Sequence, residues 1–478
     1  MTWGTAIVAA YAALLVPLAA LGLHRLWLVF EYLRRPAPVA PPAPDVWPAV
    51  TVQLPLFNEK YVAERLIRAA RALDYPNLEI QVLDDSVDDT RDVVDAIAAK
   101  LGGVEVIRRT HRDGFKAGAL AHGLSVARGD LVAVFDADFV PEPDFLRRMV
   151  PWLVANKRVG LAQARWGHLN AGESWLTAAQ ATLLDGHFVV EHAARHRGGR
   201  WFNFNGTAGV WRRDAIVDAG GWSADTLTED LDLSYRAQLA GWKFVYVDDV
   251  VAPAELPSSL AAFKGQQHRW AKGSVQTARK LLPTIWRSRA PLADRVEATF
   301  HLLGNSGWPL GLAATLLLPL VLGVAPALPA LVRSPIEVLP LGFGIGATVL
   351  YYVVAGMRTV GLGAWWRLPT ALAVGAGLAV SQTGAVFSGW TSNRGTFVRT
   401  PKRGAGDGVA YLVRGTPAWV FEGLVAAWLL VGIGVSVSAG RYGAVPLIAL
   451  LVAGYAAVGL RSAREWFAAA AVNRAAPG

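Results

Sequence analysis

Apolar positions form two groups at the ends of the chain, and a more polar segment separates them. The first apolar run, residues 5–30, is long enough to cross a bilayer core of roughly 30 Å. Later apolar runs lie near residues 300–325, 338–356, 369–387, 420–437 and 444–460. The pattern predicts an N-terminal transmembrane helix, a polar insert and a helical C-terminal membrane domain.

The run at residues 369–387 differs from the other apolar runs in its polarity. It contains Gly375, Gly377, Gln382 and Gly384, and its C-terminal half is polar. We interpret this run as a re-entrant or interfacial segment. That interpretation leaves about five complete spans.

Basic residues indicate the orientation of the first span. No Lys or Arg precedes it, whereas Arg25, Arg34 and Arg35 follow its apolar centre. Because basic residues are enriched on the cytoplasmic side, we expect the N-terminus outside and the insert in the cytosol. The expected location is a multi-pass position in the inner or plasma membrane, in contact with the lipid bilayer.

Short β-rich runs alternate with amphipathic runs in the polar insert. Strands are predicted at residues 50–54, 78–83, 104–108 and 131–135, and helices at residues 60–73, 89–100 and 115–127. Alternation at this spacing predicts an α/β fold with a doubly wound, mostly parallel sheet. Ligands bind such sheets beyond the carboxyl ends of the strands.

Polar clusters follow several of these predicted elements. They comprise Phe57 and Glu59, Asp84 to Ser86, His111 with Arg112 and Lys116, and Asp136 with Asp138. Taken singly, Asp85 and Ser86 are compatible with a helix cap and Lys116 with a surface charge. Together, the clusters supply carboxylates for a base and ribose, a cation for phosphate, and paired oxygens for Mg²⁺ or Mn²⁺.

Composition and charge exclude several classes of protein. Hydrophobic residues make up 53% of the chain and charged residues 17%, as in membrane proteins. Cysteine is absent, so disulfides and thiolate metal sites are excluded. The net charge of +9 comes from Arg and Lys beside apolar runs. Lipid headgroups are the expected contacts there, and no nucleic-acid partner is expected.

Three histidines share one predicted helix with Glu191. They are His187, His192 and His196, and their spacing differs from the zinc motif His-Glu-x-x-His. Histidines in this arrangement are more often surface or interface residues, so no zinc is expected.

Four motifs, in this order and spacing, resemble the inverting glycosyltransferase family 2. They are Val82-Leu83-Asp84-Asp85-Ser86, Asp136-Ala137-Asp138, Thr228-Glu229-Asp230 and Gln266-Gln267-His268-Arg269-Trp270. The similarity is to the processive membrane branch, which includes cellulose and hyaluronan synthases. Residues 111–120 and 202–212 look closest to cellulose-synthase-like glucomannan or mannan synthases.

This resemblance implies roles in donor binding. Asp85, with Phe57 and Glu59, would hold the nucleoside of a nucleotide-sugar donor. Asp136 and Asp138 would carry Mg²⁺ or Mn²⁺ on the donor diphosphate. Further donor contacts are implied for Lys116, Asp136, Gln266 and Arg269.

The resemblance also implies the catalytic and acceptor residues. Asp230, in the first turn of a helix predicted at residues 228–239, would be the base that deprotonates the acceptor hydroxyl. Glu229 is the alternative base. Trp270 would stack on the acceptor sugar beside Gly206 and Thr207, although a Trp also serves as a membrane-interface anchor.

A segment near the C-terminus, residues 391–418, is similar to the cytosolic gating loop of cellulose synthases. The similar stretch is residues 396–402, which include Phe397, Thr400 and Lys402 as well as Arg399. Arg399 stands where the cellulose pattern has an apolar residue, which favours the mannan type. A plain basic loop beside the membrane is the alternative.

The resemblance and the apolar pattern together predict the domain organisation. The expected units are the transmembrane helix 1–35, a Pro-rich linker 36–48, a cytosolic GT-A-like domain 49–257, interfacial amphipathic helices 258–295, and the C-terminal transmembrane domain 296–478. The segment after Leu460 is too short for a cyclic-dinucleotide-binding barrel, so no such domain is expected.

The function implied is metal-dependent, inverting and processive. The enzyme would polymerise a β-linked hexose polysaccharide, with β-1,4 linkage expected, from GDP-mannose or from UDP- or GDP-glucose, and translocate it across the membrane. One alternative is transfer of a single sugar to a lipid such as ceramide or polyprenyl phosphate. A non-catalytic channel or assembly subunit is the other alternative.

Overall fold

The computed structural model describes residues 3–324, 344–392 and 417–475. The helices of the N-terminal two thirds are α1 Trp3–Arg34, α2 Ala63–Arg71, α3 Thr90–Leu101, α4 Phe115–Val126, α5 Phe145–Ala155, α6 Trp175–Asp185, α7 His192–Arg197, α8 Arg213–Asp218, α9 Glu229–Leu239 and α10 Leu260–Arg287. A π-helical turn, Gly186–Glu191, joins α6 to α7. The later helices are α11 Leu292–Leu303, α12 Gly307–Val324, α13 Ala347–Thr359, α14 Ala364–Gly377, α15 Ala379–Thr391, α16 Trp419–Ser438 and α17 Val445–Ala475.

Seven strands form one mixed sheet between α1 and α10. They are β1 Val50–Leu56, β2 Leu78–Asp84, β3 Glu105–Ile107, β4 Leu131–Val134, β5 Val159–His168, β6 Gly209–Arg212 and β7 Lys243–Ala254. Their order in space is β3-β2-β1-β4-β6-β5-β7. The sheet and its layers confirm the predicted α/β, doubly wound fold class.

One strand departs from the predicted parallel pattern. Strands β3, β2, β1 and β4 are parallel, and β5 is parallel to β7, whereas β6 is antiparallel to both of its neighbours. An antiparallel strand begins at the edge where its parallel neighbour ends. The loop that precedes β6, residues 203–208, therefore lies at the carboxyl end of β4.

Both faces of the sheet are covered, and this explains the nearly continuous apolar strands. On one face, strand residues such as Val52 and Val82 pack against Ile67 of α2 and Leu146 of α5. On the other face, α4, α8 and α9 pack with the π-helical turn and α7. Leu28 of α1 joins this second core, so α1 is attached to the sheet domain.

Four helical segments among the described residues are long and apolar enough to span a membrane. They are Trp3–Arg34, Leu292–Val324, Trp419–Ser438 and Tyr442–Ala470. A fifth candidate is the pair Gly361–Gly377 and Ala379–Thr391, which is bent by 48°. The run interpreted above as re-entrant lies in this bent pair. The apolar run at residues 338–356 lies partly outside the described residues.

Candidate active site

A cleft of about 1030 Å³, including its open mouth, lies at the carboxyl ends of β1 and β4. Its walls come from segments that are far apart in sequence. The lining includes Phe57, Glu59, Asp85, Arg112, Lys116, Asp136, Asp138, Trp166, Asn205, Gly206, Glu229, Asp230, Gln266, Arg269 and Trp270. The structure therefore brings together the described residues to which the sequence assigned donor, metal and base roles.

One end of the cleft is built by the loops that follow β1 and β2. Asn58, with φ of 54°, donates its backbone N–H to the Ser86 hydroxyl at 2.8 Å, and its Oδ1 accepts the Val87 N–H at 2.9 Å. These bonds hold the two loops side by side. They bring Phe57 and Asp85 to the same rim, as expected for consecutive parallel strands.

Two arginines lie at this end of the cleft. Arg109, which the sequence analysis missed, forms a two-point ion pair with Asp85, with Nε 3.0 Å from Oδ1. The guanidinium carbon of Arg112, which belongs to one of the predicted polar clusters, lies 3.4 Å from the ring centroid of Phe57, a cation–π arrangement. The position of Arg109 just after β3 was the only available signal for it, because its pairing is long-range.

Lys116 lies at the centre of the cleft. Its Nζ is 2.5 Å from Oδ1 of Asp136, 3.9 Å from Oε1 of Glu229, and donates to the carbonyl of Gly206 at 2.8 Å. Burial opposes the charge, but Asp136, Glu229 and Asp230 outweigh it and raise the pKa of Lys116. The lysine is therefore a fixed cation at neutral pH.

Asp136 and Asp138 follow β4 and line the cleft side by side. Burial raises the pKa of Asp136, and the charge of Asp138 adds to that effect while Lys116 opposes it. Among the described residues, no group of three or more His, Cys, Asp or Glu side chains could hold a metal. Two hard carboxylates fit Mg²⁺ or Mn²⁺ only where substrate phosphates and water complete the coordination, which is the usual arrangement for Mg²⁺.

Asp230 occupies the first turn of α9, as predicted, and its Oδ1 accepts the N–H of Leu231 at 2.8 Å. Burial and then the charge of Glu229 raise the pKa of Asp230 to about 7, against the opposing charges of Lys116 and Arg269. A carboxyl group with a pKa near neutrality is suited to proton transfer. Glu229, the alternative base, also lines the cleft.

Helix α10 presents Gln266, Arg269 and Trp270 to the cleft. These positions are three and four residues apart, so they share one face of the helix. Ser259 caps the helix, and its hydroxyl accepts the Ala262 N–H at 3.2 Å. Glu465 of α17 accepts the N–H groups of Leu260 and Ala261 at 2.9 and 2.8 Å. A helix that is long and apolar enough to span a membrane thus fixes the start of α10.

Aromatic rings form the wall beside Trp270. Trp166, at the end of β5, lies 6.2 Å from Trp270 between ring centroids and stacks on Phe188 at 4.6 Å. Trp166 was missed by the sequence analysis, since a single Trp late in a strand carries no distinguishing signal. The two indoles offer apolar faces of the kind that pack on sugar C–H groups.

The residues to which the sequence analysis assigned acceptor binding differ in their exposure to the cleft. Gly206 lines the cleft, with φ of 80°. Thr207 is fully buried, and its hydroxyl accepts the N–H of Asp136 at 2.9 Å, so it supports the cleft from beneath. The gating-loop residues Phe397, Arg399, Thr400 and Lys402 lie outside the described residues.

Comparison with known proteins identifies similar sequences and a similar fold. Residues 48–273 match the family described as glycosyltransferase like family 2. Over 255 residues, the chain is 46% identical to glucomannan 4-beta-mannosyltransferase 1 of Oryza sativa subsp. japonica, covering 51% of this chain and 49% of that protein. Over 253 residues, it is 46% identical to glucomannan 4-beta-mannosyltransferase 2 of Arabidopsis thaliana, covering 51% and 47%. The matched region thus spans about half the length of these curated relatives.

A solved structure shares the fold. It is the mannosyltransferase PcManGT from Pyrobaculum calidifontis, in complex with GDP-Man and Mn²⁺, which aligns with a TM-score of 0.53 at 24% identity. The alignment covers 77% of this chain and 98% of that one. These matches confirm the predicted family resemblance and the GT-A-like fold.

Proposed function

We propose that this chain, whose residues 48–273 form a family 2 glycosyltransferase domain, transfers a hexose from a nucleotide sugar to a growing β-linked polysaccharide. The observation that supports this proposal most strongly is that Asp230, a half-buried carboxyl with a raised pKa, shares one cleft with Lys116, Arg269 and the Asp136–Asp138 pair. This set supplies a base and positive charge for a leaving diphosphate.

The proposed chemistry is a single displacement. The Asp230 carboxylate accepts the proton of an acceptor hydroxyl, and that oxygen forms a bond to the anomeric carbon of the donor. The bond from this carbon to the diphosphate breaks on the opposite face, so an α-linked donor gives a β-linked product. Lys116 and Arg269 stabilise the negative charge of the departing nucleoside diphosphate.

The proposal assigns Mg²⁺ or Mn²⁺ to Asp136 and Asp138. A divalent ion at this position neutralises charge on the diphosphate. Mn²⁺ accompanies GDP-Man in the PcManGT complex, which supports the same class of ion here. The ion pair between Asp136 and Lys116 keeps both groups near the diphosphate position.

The relatives supply the best guide to the donor. Their names specify a 4-beta-mannosyltransferase acting in glucomannan synthesis, and the PcManGT complex contains GDP-Man. We therefore propose GDP-mannose as the first donor to test and β-1,4 as the first linkage. GDP-glucose and UDP-glucose remain within the proposal.

Processive synthesis and translocation are proposed from the position of α10. This helix carries Trp270 into the cleft, and its first N–H groups are capped by Glu465 of the span Tyr442–Ala470. An acceptor on Trp270 would thus lie beside membrane helices. The same position suits a lipid-linked acceptor, so transfer of one sugar to a lipid is the second candidate. In both cases we propose a cytosolic catalytic domain and an external N-terminus.

The test is a donor screen with the full chain in lipid nanodiscs and Mg²⁺ or Mn²⁺. Each labelled nucleotide sugar is incubated with the protein, and products are sized and analysed for linkage. Long β-1,4-linked chains are expected from the wild type and none from Asp230→Asn. A product limited to one sugar on lipid would support the second candidate. Equal product from Asp230→Asn would overturn the assignment of the base.

A further inference from the structure

A row of buried and half-buried polar groups connects the cleft to helix α1. We call it the polar chain, and its members in order are Asn205, His187, Glu191, Arg195, Glu297 and His24. None of these residues takes part in the chemistry proposed above. Five of the six are charged or titratable, and such groups are seldom buried unless they are paired.

The polar chain starts at Asn205, which lines the cleft next to Gly206. His187 lies with Nε2 3.1 Å from Oδ1 of Asn205, and His192 lies with Nε2 2.6 Å from Nδ2 of Asn205. The amide of Asn203 donates to the same Oδ1 at 3.3 Å. Both polar atoms of the Asn205 side chain, Oδ1 and Nδ2, are therefore hydrogen-bonded.

His187 is the next member of the polar chain, on the side away from the cleft. Its Nδ1 lies 2.9 Å from Oε2 of Glu191, and Arg195 donates to that oxygen at 3.3 Å. Burial opposes ionisation of Glu191, but Arg195 and His187 outweigh it and hold the pKa of this carboxyl well below its ordinary value. Gly186–Glu191 is the π-helical turn, a geometry that recurs at functional sites.

The other end of the polar chain lies in helices α11 and α1. Arg195, which is 2% exposed, donates from Nε to Oε1 of Glu297 at 2.7 Å. The other oxygen of Glu297 lies 2.8 Å from Nε2 of His24. Glu297 belongs to α11, within the candidate span Leu292–Val324, and His24 belongs to α1.

A consistent donor and acceptor can be assigned to each hydrogen bond around Asn205 in the polar chain. Burial, together with the charge of His187, holds the pKa of His192 well below its ordinary value, so His192 is neutral and accepts from Nδ2 of Asn205. Asn203 also donates to Oδ1 of Asn205, so this oxygen is the acceptor and Nε2 of His187 donates to it. Arg195 lies between Glu191 and Glu297 and offsets their negative charges.

The geometry points to His187 as a positioning residue for the transfer step, an inference that rests on the proposed function. By fixing Asn205, His187 fixes the turn in which the Gly206 carbonyl accepts from Lys116 at 2.8 Å. The same turn lies beside Asp230, because a β-carbon added to Gly206 would be 2.9 Å from Oδ2 of that carboxylate. Through Glu191, Arg195 and Glu297, the same turn is tied to the membrane helices. A shift of these helices would change the base geometry rather than donor binding.

Two conservative substitutions separate the two hydrogen bonds of His187. In His187→Gln the side-chain amide reaches the place of Nε2 and can still donate to Asn205. In His187→Asn the shorter amide reaches the place of Nδ1 and can still donate to Glu191. The readouts are kcat and donor KM in nanodiscs, with the donor that the screen identifies, together with the unfolding temperature.

The positioning role predicts which of the two His187 variants loses more activity. We expect His187→Asn to lower kcat about tenfold or more and His187→Gln to stay within about threefold of the wild type, with donor KM within about twofold in both. The opposite ranking would show that pairing with Glu191 is what matters. Equal losses, or no loss in either variant, would also overturn the positioning role.

The link to the membrane helices is tested with a matched pair on α11. Glu297→Gln alters the polar chain, whereas Asp294→Asn alters a neighbouring buried acid that pairs with Arg200 at 2.8 Å. We expect a loss of kcat, with donor KM retained, only in Glu297→Gln. Equal effects of the two variants would refute the link.

These outcomes are distinguishable from failure of the proposed function. If the wild type transfers no sugar from any donor, the proposed function is refuted. If the wild type is active and the ranking of the His187 variants is wrong, only the positioning role is refuted.

Discussion

Gly206 lies so close to Asp230 that a β-carbon on Gly206 would be 2.9 Å from Oδ2 of the carboxylate. The same atom would be 3.3 Å from Nζ of Lys116, and Gly206 has φ of 80°. A side chain at Gly206 would therefore displace the acid that we propose as the base.

The first prediction is that Gly206→Ala lowers kcat about 100-fold, because a displacement near 1 Å at a reacting group has an effect of that size. Gly199→Ala is the matched control: Gly199 has φ of 66°, and a β-carbon added there would have no other atom within 4 Å. Both variants carry backbone strain of about 1–2 kcal/mol, because alanine is disfavoured at positive φ. Measurement of kcat and unfolding temperature separates the effects, and equal activity losses would contradict the prediction.

The second prediction concerns pH. The pKa of Asp230 is raised to about 7 by burial and by Glu229, and a base acts in its deprotonated form. Activity should therefore fall as pH drops through about 7, with kcat rising about tenfold from about pH 6 to about pH 8. A pH–rate profile checks this. A profile that is flat across this range would exclude Asp230 as the base.

The third prediction separates the two acids at the start of α9. The charge of Glu229 is one cause of the raised pKa of Asp230. Glu229→Gln should therefore move the acid limb of the pH–rate profile to lower pH while turnover persists. If Glu229 is the base instead, the same variant should abolish turnover at every pH, and Asp230→Asn should retain it.

The fourth prediction concerns the metal. EDTA should abolish activity, and Mn²⁺ or Mg²⁺ should restore it, if Asp136 and Asp138 hold the ion. Asp138→Asn should raise the metal concentration for half-maximal activity by about tenfold or more. Asp74→Asn, at an exposed pair with Arg147, is the control. Full activity in EDTA would count against both carboxylates as ligands.

The fifth prediction concerns the acceptor. Trp270→Ala should raise the KM for an oligosaccharide acceptor several-fold, because a stacking aromatic contributes about 0.5–1.5 kcal/mol beyond its buried area. Trp286→Ala is the control on the same helix, where the indole is 45% exposed and donates to Thr299. If Trp270 serves only as a membrane anchor, the two variants should behave alike.

The sequence analysis predicted the first four strands of the sheet and placed each within a few residues of its observed bounds. It could do so because the alternation of apolar runs is a local property of the chain. It did not predict the reversed direction of β6, since strand direction depends on which neighbours the chain meets in space. That reversal is what brings residues 203–208 to the cleft.

Several site contacts also depend on distant pairings. Arg109 and Asp85 are 24 residues apart in the chain, and Asn205 and His187 are 18 apart. No spacing rule connects such pairs, so sequence patterns identified Asp85 but neither Arg109 nor Asn205. The three histidines, expected at a surface or interface, include His192, which is fully buried.

The order of residues was sufficient to predict the kinds of elements and the family resemblance, and to identify the acids to which we assign the chemistry, because residue type and short-range periodicity encode them. The electrostatic state of those acids was decided only by folding. The pKa of Asp230 near 7 and the position of the turn at Gly206 arise from burial and from charges on other segments. Desolvation and Coulomb interactions act through space, so they exist only once the chain has brought these groups together.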